Sequence, residues 1–60
     1  MKKWYNVELD KHDAGILIEV LRGLGVLWQA SECYNLTHID MEMERDSKEY
    51  RTVERVLAAL

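Results

Sequence analysis

Residues 35–45 show the most regular alternation of apolar and polar positions in the chain. One set, which we expect to face a core, comprises Thr37, Ile39, Met41 and Met43. The other set, called the acidic row below, comprises His38, Asp40, Glu42 and Glu44. A period of two predicts a β-strand with one buried face. Antiparallel sheets commonly leave the other face in water, so we expect the acidic row on an open sheet face.

Two further segments carry a strand pattern. In residues 4–9 the side chains of Tyr5, Val7 and Leu9 alternate with those of Trp4, Asn6 and Glu8. Aromatic and β-branched content at this period supports a half-buried strand, with Trp4 on the open side. Residues 26–34 alternate less clearly, and the pattern leaves the face of Trp28 undecided. We predict a strand there as well, joined to the next by a turn at Asn35.

Helical spacing marks the two remaining segments. Asp10 is the expected N-cap of a first helix, with Asp13 three residues later and Gly25 as the residue that ends it. The apolar stripe of this helix is predicted to comprise Leu17, Val20, Leu21 and Leu24, supported by Ile16. Asp46 is the expected N-cap of a second helix, with Glu49 three residues later. Its stripe is predicted to comprise Tyr50, Val53, Val56, Leu57 and Leu60.

The element order β-α-β-β-α predicts one α+β domain over residues 1–60. A right-handed crossover between the first two strands and a hairpin between the last two favour a three-stranded sheet, antiparallel or mixed, of order 1-3-2, with both helices on one face. This is a truncated ferredoxin-like plan without its fourth strand. The outer edge of the first strand is therefore expected to be uncovered.

The chain is short for a self-sufficient core. Small domains usually add a disulfide, a metal or a partner subunit. Cys33 is the only cysteine, which excludes an internal disulfide and leaves too few ligands for a cysteine-based zinc site. We expect its thiol to be buried. A lone cysteine without a disulfide also fits the reducing environment of the cytoplasm. Self-association, with a dimer favoured, is the remaining way to add stability.

Net charge and hydropathy limit the classes of partner that we expect for this chain. A formal charge of −3 argues against direct nucleic-acid binding, which usually requires a basic face. No apolar run approaches the roughly 20 residues of a membrane span. The start of the chain lacks the apolar region of a signal peptide, so we expect a cytoplasmic protein without a membrane partner.

Candidate chemistry is sparse. His38 and Asp40 could meet on one metal ion, yet a site needs three or four ligands and only acids lie nearby. Carboxylates of the acidic row lack an evident dry pocket that would separate their pKa values. Cys33 with His12 or His38 is the only conceivable nucleophile pair, and no third residue orients the histidine. We therefore expect no enzyme, no metal and no cofactor.

One segment resembles a known family. The run Asp13-Ala14-Gly15-Ile16-Leu17, followed by Val20-Leu21, is similar to the D-x-x-G-x-L opening of ACT regulatory domains. Those domains begin β-α-β-β-α and bind amino acids at dimer interfaces. Asp13 stands closer to Gly15 than the pattern has it, and the family's proline and final strand are absent. The resemblance implies a small-ligand-binding regulatory module, which an amino acid would stabilise against heat.

Three functional hypotheses follow. The first is a non-enzymatic, self-associating protein-interaction module whose interface comprises Trp4, Tyr5, Asn6, Val7 and Glu8. The second is an acidic inhibitor, for example of phage type, whose acidic row occupies a basic nucleic-acid-binding surface of a partner protein. The third is the ACT-like ligand module.

Overall fold

The computed structural model describes residues 1–60 and has the predicted order of elements. They are β1 (Lys2–Asp10), α1 (Lys11–Leu24), β2 (Leu27–Cys33), β3 (Leu36–Glu44) and α2 (Lys48–Ala59). β1 begins two residues earlier than predicted, because Lys2 and Lys3 pair with Glu44 and Met43 at the end of β3. The two lysines therefore belong to the sheet.

The sheet has the order β1-β3-β2, with both outer strands antiparallel to β3. This confirms the predicted α+β, ferredoxin-like architecture without a fourth strand. The register places Tyr5 and Trp28 on either side of Met41. Because directly opposed residues share a face, Trp28 lies on the same side of the sheet as the buried methionines. The sequence pattern had not decided on which face of the sheet Trp28 lies.

Both helices cover one face of the sheet, and the core lies between the layers. Its buried apolar residues are Ala14, Leu17, Leu21, Val26, Ile39, Met41, Met43 and Val53. Thr37 is the only other buried residue. The expectation that Ile16 supports the α1 stripe is wrong: Ile16 is exposed, and Ala14, two residues earlier and on nearly the opposite side of the helix, packs into the core with Leu17 and Leu21 instead.

The ends of α1 are as predicted. The Asp10 carboxylate accepts a hydrogen bond from the Asp13 amide at 2.8 Å, which satisfies one of the free N–H groups of the first turn. Gly25 ends the helix with φ +70°, and its amide donates to the carbonyl oxygen of Arg22 at 3.2 Å. A left-handed residue at this position is favourable for glycine, which has no Cβ.

The predicted N-cap of α2 is wrong by one residue. Asp46 has φ +64°, a left-handed conformation that an N-cap does not adopt. Ser47 has the extended conformation of a cap, and its hydroxyl oxygen accepts from the Tyr50 amide at 3.2 Å. The two-residue turn after β3 determines this outcome: it needs a residue that tolerates positive φ, and aspartate does so better than most.

β2 is the least covered element. Two long side chains of α1 reach it: the Arg22 guanidinium lies 5.9 Å from the centre of the Trp28 ring, and Lys11 Nζ lies 3.9 Å from Glu32 Oε2. The prediction of a buried thiol is wrong, because Cys33 is exposed. It ends an outer strand opposite Leu36, on the face that no helix covers.

Gly15 within α1 and Gly25 directly after it should respond in opposite ways to replacement by alanine. A Cβ at Gly15 would meet no atom within 4 Å, so Gly15→Ala should raise the free energy of unfolding by about 0.5–1 kcal/mol through helix propensity. Gly25→Ala should lower it by about 1–2 kcal/mol, because the backbone there is left-handed. Urea unfolding followed by circular dichroism at one protein concentration measures both. A loss of stability in Gly15→Ala would contradict the open surroundings of that residue.

The position of the α2 cap is tested by a second pair of variants. Ser47→Ala removes the hydroxyl that accepts from Tyr50 and should lower the free energy of unfolding by about 1 kcal/mol. Asp46→Gly should leave stability unchanged or raise it by up to about 1 kcal/mol, since glycine suits a positive φ. If Asp46 were the cap, its replacement by glycine would instead cost a few tenths of a kcal/mol.

Candidate functional site

β1 is an edge strand with an unpaired outer side. It is hydrogen-bonded to β3 alone, over nine residues. Its alternate side chains divide between the layers: Tyr5 and Val7 face the helices, whereas Trp4, Asn6 and Glu8 lie on the open face. The five residues predicted as an interface are therefore consecutive on one strand and present two chemically different faces. Edge N–H and C=O groups of this kind can pair with another strand.

An apolar groove runs between β1 and α2. It encloses about 210 Å³. Seven of its nine lining residues are hydrophobic, namely Tyr5, Val7, Met41, Met43, Tyr50, Val53 and Leu57. The groove exists because α2 meets the sheet through one stripe of side chains and leaves space beside the outer strand. In a four-stranded sheet of this type, a further strand next to β1 would lie beside this groove.

The hydroxyl of Tyr5 is buried without a hydrogen-bond partner. The Tyr5 ring packs against that of Tyr50, with centroids 5.2 Å apart and planes inclined by 60°. This tilted geometry is favourable between aromatic rings and anchors α2 to β1. It also holds the hydroxyl away from water, at a cost typical of an unpaired buried polar group. This unpaired hydroxyl lies next to the free edge of β1.

The open face of the sheet combines carboxylates with large apolar side chains. Strand register puts Trp4, Glu42 and Leu27 side by side across the three strands, and Asn6, Asp40 and Gln29 in the next row. Trp4 is 48% exposed and Leu27 is 61% exposed. All four residues of the acidic row lie on this face, by the register of β3 with its neighbours. The face is therefore mixed in character, with Glu42 between an indole and an aliphatic side chain.

Several open-face residues are held by contacts within the chain. The Asn6 side-chain amide donates to Asp40 Oδ1 at 2.7 Å. His38 Nε2 lies 3.2 Å from Glu8 Oε2, a pair that is charged when the imidazole is protonated. The N-terminal ammonium donates to Glu44 Oε1 at 2.6 Å. This hydrogen bond, with the positive charge of the ammonium and of Lys2, holds the pKa of Glu44 below its ordinary value.

One group of metal-type ligands also occurs, at the start of α1. Single ligand atoms of Asp10, His12 and Asp13 lie within 4.8 Å of one another. Asp10 is engaged as the helix cap, and His12 Nδ1 lies 3.4 Å from Asp13 Oδ1. The group is mostly exposed, and its geometry is explained by capping of the helix. Neither Cys33 nor His38 belongs to it.

Some surface features were not predictable from the sequence. Leu27 and Leu36 are exposed on the open face, and their positions follow from the pairing of β2 with β3. The weak alternation of residues 26–34 did not predict which of their side chains face the helices. The groove requires the relative placement of β1 and α2, which no local pattern encodes. The one available signal was the excess of apolar residues in α2 over those that a small core can bury.

Comparison with known proteins gives no assignment. No protein-family model, no curated protein and no solved structure matches the chain. Neither helix has the length and hydropathy required of a candidate membrane span.

The unpaired hydroxyl yields a direct prediction. Tyr5→Phe keeps the ring contact with Tyr50 and removes the buried oxygen, so the free energy of unfolding should stay level or rise by up to about 1 kcal/mol. Tyr50→Phe is the matched control on the other ring. Chemical denaturation of both variants measures the effect. A loss of more than about 1 kcal/mol in Tyr5→Phe alone would show that the hydroxyl has a partner.

Proposed function

We propose that the protein is a small, non-enzymatic interaction module that forms a homodimer by antiparallel pairing of two β1 strands. The observation that carries the proposal is the free nine-residue edge of β1 beside an apolar groove. Pairing would join the two sheets into one of six strands, with all four helices on the same side. A two-fold axis perpendicular to the sheet relates the copies and makes the contact self-complementary.

The small core supports self-association. Nine of the sixty residues are buried. Domains of this size bury only about 60% of the surface exposed by the unfolded chain, so their stability is marginal. The chain can form no internal disulfide, because Cys33 has no second cysteine to pair with. Burial of the groove against a second copy would enlarge the apolar core without any new secondary structure.

Charge favours the edge over the open face as the contact between copies. The open face carries Glu8, Asp40, Glu42 and Glu44 against a single lysine, Lys2. Two such faces packed together would place like charges in a poorly solvated layer, which costs free energy. Edge pairing leaves these carboxylates in water. The backbone edge of β1 is thus the more favourable surface for a second copy.

The charge pattern along β1 favours antiparallel pairing in one register. The strand is basic at its start, with Lys2 and Lys3, and acidic at its end, with Glu8 and Asp10. Antiparallel pairing centred on Asn6 places Lys2 opposite Asp10 of the second copy, and the reverse pair occurs by symmetry. Parallel pairing would align like charges, and charges that lie directly opposite each other influence strand pairing.

The same register covers the groove with apolar side chains. On the helix side, Val7 of the second copy would lie opposite Tyr5, and Leu9 of the second copy would lie one step further along the groove. Both are partly buried side chains that already pack against their own core. The groove would thus be enclosed by residues of the same chemical type as its lining, which the hydrophobic effect favours.

Disulfide trapping tests this dimer and its register. In a Cys33→Ser background, Asn6→Cys places two thiols at directly opposed positions, with Cα atoms about 4.5–5.5 Å apart. That separation lies within the range of a disulfide. Mild oxidation should therefore cross-link Asn6→Cys nearly completely, and sedimentation of the reduced wild-type chain should give a dimer at micromolar concentration.

Two control variants define the outcome. Glu8→Cys in the same background should cross-link poorly, because its counterpart in the second copy lies four residues along the strand. Ser31→Cys probes the β2 edge in the same way. A folded monomer at about 100 μM, a concentration at which a dimer with micromolar affinity would persist, would refute the proposal. So would preferential cross-linking through Ser31→Cys.

A further inference from the structure

The negative charge of the protein is concentrated on one surface. Apart from Asp10 at the end of β1, whose carboxylate is engaged as the cap of α1, the open sheet face carries four carboxylates, Glu8, Asp40, Glu42 and Glu44, and one basic side chain, Lys2. The other seven acidic and seven basic residues balance each other. The whole formal charge of −3 therefore belongs to the face that no helix covers. Such a charge distribution attracts a positively charged partner to one side of the molecule.

Two carboxylates at the centre of this face have no cationic partner within the chain. Glu8 contacts His38, and Glu44 is bonded to the N-terminal ammonium. Asp40 accepts only the neutral amide of Asn6, and Glu42 has neither an ion pair nor a side-chain hydrogen bond. Asp40 and Glu42 are two residues apart on β3, so their side chains project in the same direction about 7 Å apart.

The surroundings of Glu42 select among cations. It lies between the exposed indole of Trp4 and the exposed side chain of Leu27. A guanidinium can stack on an indole while its N–H groups pair with a carboxylate, and its aliphatic stem can cover apolar surface. A lysine ammonium is compact and strongly hydrated, and it cannot combine these contacts as well. The site is therefore better suited to arginine.

We propose that the open face binds a basic segment of another protein through two arginines at alternate positions of an extended chain. Alternate residues of an extended chain repeat at about 6.6–7 Å, which matches the separation of Asp40 and Glu42. One arginine lies on Trp4 and pairs with Glu42. The other pairs with Asp40, which Asn6 holds in place through the 2.7 Å hydrogen bond.

This surface uses the side chains of Trp4 and Asn6 on β1, but not the backbone edge of β1 that pairs in the proposed dimer. Pairing of two β1 strands about an axis perpendicular to the sheet leaves the open face in water, and a monomer presents the same residues. The proposal therefore does not depend on the dimer. A second copy is a poor occupant of the face because it brings the same charge, and a nucleic acid is repelled for the same reason.

Peptide binding provides the test. In a Trp28→Phe background, Trp4 is the only tryptophan, and its fluorescence reports contact with the open face. The probe is a blocked peptide, Gly-Arg-Thr-Arg-Thr-Gly, and its counterpart has lysine at both basic positions. We expect saturable binding of the arginine peptide, with affinity about fivefold higher than that of the lysine peptide, from stacking and bidentate pairing.

Charge-neutral variants show whether the named carboxylates are responsible. Asp40→Asn combined with Glu42→Gln should weaken binding about tenfold through loss of two ion pairs. Glu19→Gln combined with Glu32→Gln changes the net charge equally away from the open face and should weaken it less than about twofold, through long-range attraction alone. Circular dichroism and urea unfolding verify that each variant is folded. Sedimentation shows that the oligomeric state is unchanged, which separates this test from that of the dimer.

Three results would overturn the proposal. One is an equal loss of affinity in the two double variants, which would indicate attraction to net charge alone. Another is equal binding of the lysine peptide or of spermidine, which would remove the role of Trp4. The third is the absence of any saturable change in Trp4 fluorescence with the arginine peptide.

Discussion

The position of β3 between two antiparallel neighbours is the constraint on which the structure depends. It is the one strand that pairs on both sides, and every second residue along it, which together form its inner face, is buried. A slip of one residue in its register would turn Ile39, Met41 and Met43 towards water and the acidic row towards the helices. The cost of burying three carboxylates makes that arrangement inaccessible. One strand thus fixes both the core and the charged face.

The two faces of β3 lead to two different kinds of surface. On the inner side, a small core leaves apolar residues of β1 and α2 only partly covered, and the groove with its isolated Tyr5 hydroxyl results. On the outer side, carboxylates accumulate because nothing packs over them. The open faces of two copies repel each other because both are acidic, and the two ends of β1 carry opposite charges. In the proposed dimer these two effects favour association of identical copies at the strand edge, and they leave the outer surface free for the proposed partner of opposite charge.

The sequence predicts most of the fold because its signals are local. Alternation over residues 37–44, the Asp10 cap and the Gly25 terminus each depend on neighbouring residues and agree with the structure. Asp46 and Ser47 are both good capping residues, and only the turn geometry after β3 decides between them. The prediction that Cys33 is buried was wrong for a related reason: a strand pattern does not reveal which strand lies at the edge of a sheet. The groove and the Trp4-Glu42-Leu27 row need tertiary placement and had no local signature.

The charge carried by β2 bears on the size of any assembly. Glu32 points to the helix side of an outer strand, where its carboxylate is exposed beside Lys11. An added strand there would have to bury that group or break the contact, and charged residues that point inward on border strands are a known safeguard against continued growth of a sheet. A six-stranded assembly would end in two such strands. Glu32 of each copy would then block further strand addition at its own end of the sheet. The assembly would not grow into fibrils and would keep a defined stoichiometry.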